Sequence, residues 1–176
     1  MSKVLVVVDM QNDFVDENVL GNEHCKAIIP TIIEELETGN YDKIFFTKDT
    51  HHNNYLETQE GKNLPTKHCI LGTKGWALIK EIFMATTKTN IPVHIITKET
   101  FGSKILGEEL LKINDLSEVV FVGVCTGICV ISNALLVKAF CPEVKITVKS
   151  NACACITKES HERALKAMEL CQINIE

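Results

Sequence analysis

The chain has 176 residues, of which 45% are hydrophobic and 23% are charged. We expect residues 1–176 to form a single globular domain, because such domains usually contain about 100–200 residues. The 18 basic and 23 acidic side chains give a formal net charge of −5, which argues against binding to nucleic acid or to an anionic membrane surface. No apolar run approaches the roughly 20 residues that a membrane span requires, and the first residues do not resemble a secretory signal.

Short apolar runs rich in β-branched and aromatic residues predict the strands of a sheet. The first, VLVVV at residues 4–8, is hydrophobic without interruption, which is typical of a strand buried on both faces. Further runs are at residues 43–47, 92–97, 118–122 and 144–148, with a last short run at 173–175. His94 lies within the third run, where we expect a hydrogen-bonded histidine in the core.

Amphipathic stretches between the strands predict helices. The first covers residues 25–36, although Pro30 restricts where it can begin. Others cover residues 76–87, 103–112 and 127–140, and a last helix should be capped by Thr157 and bury Cys171 at its inner face. This alternation predicts a three-layer α/β/α fold with a mostly parallel central sheet.

Residues with reactive side chains follow the predicted strands. Ligand sites in such folds lie beyond the carboxyl ends of the strands. Asp9 follows the first strand, Asp49 and His51 follow the second, Lys98 follows the third, and Cys129 lies in the turn after the fourth. The sequence therefore predicts that a carboxylate, an amine and a thiol meet at one edge of the sheet.

Cys129 is the candidate nucleophile. Its segment, GVCTGICV, follows a strand and opens a helix, where unpaired backbone amides and the helix dipole favour a thiolate. The same amides suit the oxyanion of a tetrahedral intermediate. Cys125 is the alternative nucleophile, but it lies before the helix begins, where the dipole helps less.

The cysteines as a group predict reduced thiols in a cytoplasmic protein. There are eight, at positions 25, 69, 125, 129, 141, 153, 155 and 171, with no CxxC pair and no repeated spacing. Apart from Cys129, we interpret them as small buried hydrophobic residues. This includes Cys153 and Cys155, for which a redox pair is the alternative.

A second cluster of polar residues follows the second strand and contains ligand types that suit Zn²⁺, Fe²⁺ or Mn²⁺. The alternative is that these are ordinary polar residues of surface loops. The cluster comprises Asp49, His51, His52, Glu57, Glu60 and His68.

Five motifs, in the same order along the chain, give it a resemblance to a known family. They are VDMQNDF at residues 8–14, KDTH at 48–51, LPTKH at 64–68 followed by Gly72-Thr73, Thr97-Lys98, and GVCTGICV at 123–130. At these residues the chain resembles the isochorismatase-like cysteine hydrolases, and within them the nicotinamidases. The resemblance extends from the first strand to the last helix.

The resemblance implies a catalytic triad of Asp9, Lys98 and Cys129. Cys129 would attack an amide carbonyl to give a thioester and release ammonia. Asp9 would transfer the protons, and Lys98 would hold Cys129 as a thiolate and Asp9 in place. The family also has a cis peptide bond before the position of Cys125, and the backbone amides of Cys125 and Cys129 would form the oxyanion hole.

The resemblance also implies one divalent metal ion (zinc, iron or manganese) that binds the pyridine nitrogen of the substrate. Asp49, His51 and His68 match the family's ligands directly. Glu60 fits the spacing of the remaining ligand best, with Glu57 and His52 as alternatives. Phe14 would line the pocket for the ring. The complete set of candidate metal ligands is therefore Asp49, His51, Glu60, His68, Glu57 and His52.

Two positions depart from the family's pattern. Gly127 stands where the family usually has Asp or Asn. Trp76 follows the Gly72-Thr73 turn, whereas nicotinamidase pockets often have a Trp shortly before the metal-binding histidine, and residues 63–67 contain no aromatic residue.

The resemblance implies a metal-assisted cysteine amidohydrolase that acts on nicotinamide or a close heteroaromatic amide. One alternative is a metal-independent amidase or ureidohydrolase of the same superfamily. Another is a binding module without catalytic activity on the same fold. Family members are often dimers or larger, so we also expect a homo-oligomer.

Overall fold

The computed structural model describes residues 1–16 and 18–176. Its centre is a six-stranded sheet in which every strand pair is parallel, with the order β3-β2-β1-β4-β5-β6. The strands are β1 (Ser2–Val8), β2 (Lys43–Asp49), β3 (Val93–Lys98), β4 (Leu116–Val124), β5 (Lys145–Ala154) and β6 (Asn174–Ile175). The predicted parallel sheet is therefore confirmed.

In the part of the chain that the structure describes, seven α-helices connect and cover these strands. They are α1 (Glu23–Ala27), α2 (Ile29–Thr38), α3 (Gln59–Asn63), α4 (Lys80–Ala85), α5 (Lys104–Leu111), α6 (Ile131–Phe140) and α7 (Lys158–Leu170). Three short 3-10 helices span Asn12–Phe14, Tyr55–Glu57 and Thr86–Lys88, and a π-helical turn spans Thr126–Val130 directly before α6.

The alternating side chains of β1 build a core on each face of the sheet, because β1 is central and none of Val4–Val8 is exposed. On one face, Val6 belongs to a cluster with residues of α5, α6 and α7, such as Leu106 and Met168. On the other face, Val7 belongs to a cluster with residues of α2 and α4, such as Ile32 and Ile82. This arrangement is the expected three-layer α/β/α fold.

Capping residues fix the starts of two helices, and the cap at Thr157 is the one predicted from the sequence. Thr157 accepts a hydrogen bond from the amide of Ser160, whose hydroxyl pairs with the Thr157 amide in a capping box. Ser103 caps α5 in the same way through the amide of Leu106. Pro30 lies in the first turn of α2, so the predicted helix at 25–36 is two helices, α1 and α2.

Three local predictions were wrong, each for a tertiary reason. The helix expected from residue 76 begins only at Lys80, because Leu78 pairs with Gln11 in an isolated β-bridge. His94 is exposed and stacks on Phe45, because β3 is an edge strand. Cys171 is exposed because α7 ends at the preceding residue.

Candidate active site

Four side chains from separate parts of the chain meet at the carboxyl edge of the sheet, as the sequence predicts. The Lys98 Nζ lies 2.6 Å from Asp9 Oδ2 and 3.3 Å from Asp49 Oδ1. It also donates a hydrogen bond of 3.7 Å to the Sγ atom of Cys129. All four side chains are buried, so these charges interact in a region with little water to screen them.

Asp9 is held by its own backbone and by Thr47. Its φ of 49° lies in the left-handed region, which Asp tolerates better than most residues. The Thr47 hydroxyl donates a 2.6 Å hydrogen bond to Oδ1, and the Asp9 amide donates to Thr47 at 3.2 Å. Within the described residues, Oδ2 accepts no hydrogen bond of good geometry, although the Lys98 ammonium is close. Oδ2 is therefore the oxygen available to receive a proton.

The charges of this group depend on one another. Burial opposes the positive charge of Lys98, but the acidic groups around it, Asp9 first, outweigh burial and raise its pKa. Burial and the Asp9 charge raise the pKa of Cys129, and Lys98 offsets this only in part. The expected resting thiolate is therefore not favoured in this geometry. The raised pKa favours the thiol over the thiolate, so the proton has to leave as the sulfur reacts.

The turn after β4 presents Cys129 at the start of a helical segment. The carbonyl of Cys125 accepts hydrogen bonds from the amides of Ile128 at 3.0 Å and Val130 at 3.1 Å, which closes the π-helical turn. The cis peptide bond expected from the resemblance is present between Val124 and Cys125. The thiol of Cys125 donates to another cysteine at the end of β5, so Cys129 is the thiol that faces Lys98.

The structure divides the metal-ligand candidates into residues that lie together and residues that lie apart. Asp49, His51, Glu60 and His68 bring one ligand atom each into a group whose members all lie within 4.8 Å of one another. His52, by contrast, is exposed and lies 3.3 Å from Glu99, and Glu57 is also exposed. Of the three alternatives for the remaining ligand, the structure brings Glu60 into the cluster. The excluded alternatives are Glu57 and His52.

The four residues of this cluster fit a divalent cation. His51 Nε2 lies 2.9 Å from Asp49 Oδ2, and His68 Nε2 lies 3.4 Å from the same oxygen. The Nδ1 atom of His68 lies 2.8 Å from the Thr66 carbonyl, an arrangement that directs Nε2 to a metal in many proteins. Burial and the negative charge of Asp49 raise the pKa of Glu60, and a cation would relieve that repulsion.

Asp49 joins the two clusters. One of its oxygens faces Lys98 and the other faces the two histidines. The side chain of Gln11 fixes its backbone, accepting from the Asp49 amide at 2.7 Å and donating to the Asp49 carbonyl at 2.8 Å. Asp49 thus connects the group around the candidate nucleophile with the candidate metal ligands.

A small cavity of about 220 Å³ lies between the two clusters. Apolar side chains form most of its wall, and polar groups of both clusters line one side. It shares four residues with an outer cavity of about 670 Å³, which provides a route from the surface. The lining residues include Phe14, Leu64, Phe101, Ile128 and Ile156, with Asp49, Glu60, His68, Cys125 and Cys129.

Two positions singled out in the sequence have clear places in the structure. Phe14 lines the cavity and contacts His68, with 5.6 Å between the ring centroids. Trp76 is not among the described residues that line this cavity. Its ring covers the Lys48 ammonium, 3.0 Å from the ring centroid, and its Nε1 donates to Thr50. Leu64, not an aromatic residue, forms that part of the wall.

Sequence reasoning missed three positioning residues. Gln11 lies inside the first motif, and Thr47 lies two residues before Asp49 on the same face of β2, so their places carried a signal. The position of Asn133 carried no such signal. Its side chain donates to the Cys129 carbonyl and accepts a hydrogen bond from the amide of Ser103, the residue before α5.

Among the described residues, no helix is long and apolar enough to cross a membrane.

Comparison with known proteins agrees with this geometry. The sequence model of the isochorismatase domain family matches residues 3–175 of this chain. An uncharacterized isochorismatase family protein from Bacillus subtilis is 29% identical over 177 residues, covering 94% of this chain and 93% of that protein.

Solved structures of similar proteins cover the whole fold. A nicotinamidase/pyrazinamidase from Bacillus subtilis has a TM-score of 0.83 at 27% identity, covering 99% of each chain. A pyrazinamidase from Pyrococcus horikoshii in complex with zinc has a TM-score of 0.80 at 27% identity, covering 100% of this chain and 99% of that one. A pyrazinamidase/nicotinamidase from Streptococcus mutans has a TM-score of 0.81 at 26% identity, covering 99% and 100%.

Proposed function

The chain belongs to the isochorismatase family, and we propose that it is a cysteine amidohydrolase that converts nicotinamide and water into nicotinate and ammonia. The observation that carries this proposal is the position of Asp49, which contacts Lys98 beside the nucleophile and the histidines of the metal-ligand cluster. Such an arrangement suits a substrate with an amide at one end and a metal-binding nitrogen at the other. Nicotinamide has both groups on one ring.

The size and lining of the inner cavity support a substrate with a single ring. Its volume of about 220 Å³ is below the roughly 300–1,000 Å³ of sites for drug-sized ligands. A divalent ion held by Asp49, His51, Glu60 and His68 would supply a Lewis-acid contact for the pyridine nitrogen. Phe14 and Leu64 then contact the ring and exclude water from it.

In the first half of the reaction, Asp9 takes the proton of the Cys129 thiol as the sulfur attacks the amide carbon. Burial raises the pKa of Asp9, although Lys98 opposes this, so the carboxylate is a stronger base than an exposed aspartate. The Lys98 ammonium is placed to stabilise both the carboxylate and the developing thiolate. The amides of Cys125 and Cys129 receive the oxyanion of the tetrahedral intermediate.

In the second half, the proton held by Asp9 passes to the leaving amine, and ammonia departs to leave a thioester on Cys129. Asp9 then accepts a proton from a water molecule, which attacks the thioester carbonyl. The product nicotinate leaves, and the thiol of Cys129 is restored. Asp9 thus accepts and returns one proton in each half of the reaction, beside the Lys98 ammonium.

The wider setting follows from this activity. Deamidation of nicotinamide would place the enzyme in NAD salvage, with a small-molecule amide as its substrate. The predicted cytoplasmic location and the predicted homo-oligomer stay predictions.

The test is ammonia release from nicotinamide by the purified protein, measured with and without added zinc, iron or manganese. We expect release that requires metal, disappears in Cys129→Ala and persists in Cys141→Ala. Cys141 is the matched control because it is also buried but belongs to the far end of α6. A folded, metal-loaded protein that releases no ammonia would show that nicotinamide is not the substrate, and activity in Cys129→Ala would refute the nucleophile.

A further inference from the structure

Two cysteines lie side by side next to the active site, and neither of their thiols takes part in the proposed reaction. Cys125 directly follows β4 and Cys155 directly follows β5. The last registered pairs of these parallel strands are Gly123 with Cys153 and Val124 with Ala154, and Cys125 and Cys155 each directly follow a member of the last pair. The thiol of Cys125 donates to the Sγ atom of Cys155 at a distance of 2.7 Å.

The register meets the main geometric requirement for a cross-link. Neighbouring strands lie about 4.7–4.9 Å apart, and disulfides usually join residues whose Cα atoms are about 4.4–6.8 Å apart. Registered neighbours in a sheet also direct their side chains to the same face. A covalent bond between these two sulfur atoms requires their 2.7 Å separation to shorten to about 2.05 Å, a shift of less than 1 Å.

Each thiol borders a cavity that a small oxidant can enter. Cys125 is half-buried and lines the 220 Å³ active-site cavity. Cys155 lines a separate cavity of about 260 Å³, together with His24, Lys158 and His161. The two cysteines thus border different cavities.

Cys155 is the more nucleophilic of the two. The hydrogen bond from the Cys125 thiol lowers the pKa of Cys155 to about 5, assisted against burial by Ser160 and by the amide of Gly127. The same contact, together with burial, raises the pKa of Cys125. Cys129 differs, because burial and Asp9 raise its pKa. A thiolate is the form that reacts with peroxides.

We propose that Cys125 and Cys155 form a reversible disulfide when the protein meets hydrogen peroxide. In the first step the Cys155 thiolate attacks the peroxide, a sulfur–oxygen bond forms, the oxygen–oxygen bond breaks, and the released hydroxide takes up a proton to become water. In the second step the Cys125 sulfur displaces the hydroxyl of this sulfenic acid, which leaves with the Cys125 proton as a second water. The two thiols supply the two electrons that reduce the peroxide.

This inference extends the earlier interpretation of the cysteines and is independent of the proposed amidase activity. The sequence suggested Cys153 and Cys155 as the possible redox pair, but Cys153 is fully desolvated and contacts the Phe121 carbonyl. The partner of Cys155 comes instead from the neighbouring strand. A disulfide there would tie the ends of β4 and β5 together and leave the Cys129 thiol in place.

The test treats the full-length, zinc-supplemented protein with an equimolar amount of hydrogen peroxide, blocks free thiols with N-ethylmaleimide, and maps tryptic peptides without reduction. Cleavage at lysine gives peptide 113–138, with Cys125 and Cys129, and peptide 150–158, with Cys153 and Cys155. We expect these two peptides to be cross-linked, with fragment spectra that assign the bond to Cys125 and Cys155. Dithiothreitol should release both peptides, and Cys129 should be alkylated throughout.

Variants make the assignment independent of the fragment spectra. The cross-link should disappear in Cys155→Ser and persist in Cys153→Ala and in Cys129→Ala. The proposal fails if peroxide oxidises Cys129 while Cys125 and Cys155 stay alkylatable, or if the cross-link survives in Cys155→Ser. Because the readout is a disulfide rather than turnover, a negative result here leaves the amidase proposal untouched.

Discussion

Replacing Thr47 by valine tests how the base of the proposed reaction is held. Valine keeps the shape of the side chain but removes the hydroxyl that donates to Asp9 Oδ1 at 2.6 Å. Asp9 has no exposed surface, so water cannot replace the lost donor. The carboxylate therefore loses a partner that stabilises its charge and fixes its orientation.

The expected size of the effect follows from the nature of this bond. A hydrogen bond to a buried charged group is worth about 1.5–3 kcal/mol. If this free energy is lost in the transition state, kcat/KM should fall about 10- to 150-fold, because each 1.36 kcal/mol is a factor of ten. KM should change little, because Thr47 is not among the residues that line the inner cavity.

The substitution should also shift the pH dependence of kcat/KM in a definite direction. The Thr47 hydroxyl lowers the pKa of Asp9, whereas burial raises it. Removing the hydroxyl raises that pKa further. As the pH is lowered, the variant therefore loses its active carboxylate at a higher pH than the original protein does. The acidic limb of the kcat/KM profile should therefore move to higher pH in Thr47→Val.

Steady-state kinetics of nicotinamide hydrolysis across the pH range, with a thermal unfolding curve for each variant, would measure both effects. The matched control is Thr147→Val, which removes another buried threonine hydroxyl, one that donates to Glu118 on the sheet away from the site. It should cost stability without changing kcat/KM. An unchanged rate and an unshifted acidic limb in a folded Thr47→Val protein would refute this account of Asp9.

Three other substitutions test the metal cluster and the turn. Gln11→Leu should weaken zinc binding about 10- to 100-fold in a chelator competition assay, because the backbone of Asp49 loses its clamp; unchanged affinity would show that no clamp is needed. His68→Ala should reduce bound metal measured by mass spectrometry, whereas exposed His52→Ala should not, and equal contents would remove His68 from the ligand set. Gly127→Ala should raise the free energy of unfolding by about 0.5–1 kcal/mol, since a Cβ meets no atom closer than 3.5 Å; a lower denaturant midpoint would contradict this.

The fold and the meeting of the candidate catalytic side chains at one edge of the sheet could be predicted from the sequence, because their signals are local. A run such as VLVVV is typical of a strand buried on both faces of a parallel sheet, and the residue that follows such a strand lies at its carboxyl edge. Asp9, Asp49 and Lys98 therefore converge wherever three such strands are neighbours. The motif around Cys129 placed the thiol at the start of a helix for the same reason.

The choice of the remaining metal ligand depended on the tertiary structure. Glu57, Glu60 and His52 are equivalent as ligand types, and the sequence ranks them only by spacing. In the structure, Thr58 caps the short helix α3 through the amide of Gly61, and Glu60 lies in its first turn, within the ligand group. That orientation comes from the path of the chain between β2 and His68, which no local pattern encodes.

The sequence by itself determined the layers, the strand ends and the residues that carry the proposed chemistry. Only the tertiary structure decided which side chains hold them, as Thr47 does for Asp9, and that Cys125 meets Cys155. The reason is physical. Burial periodicity and helix signals involve residues a few positions apart, whereas these contacts join residues about 30 or more positions apart through the register of neighbouring strands.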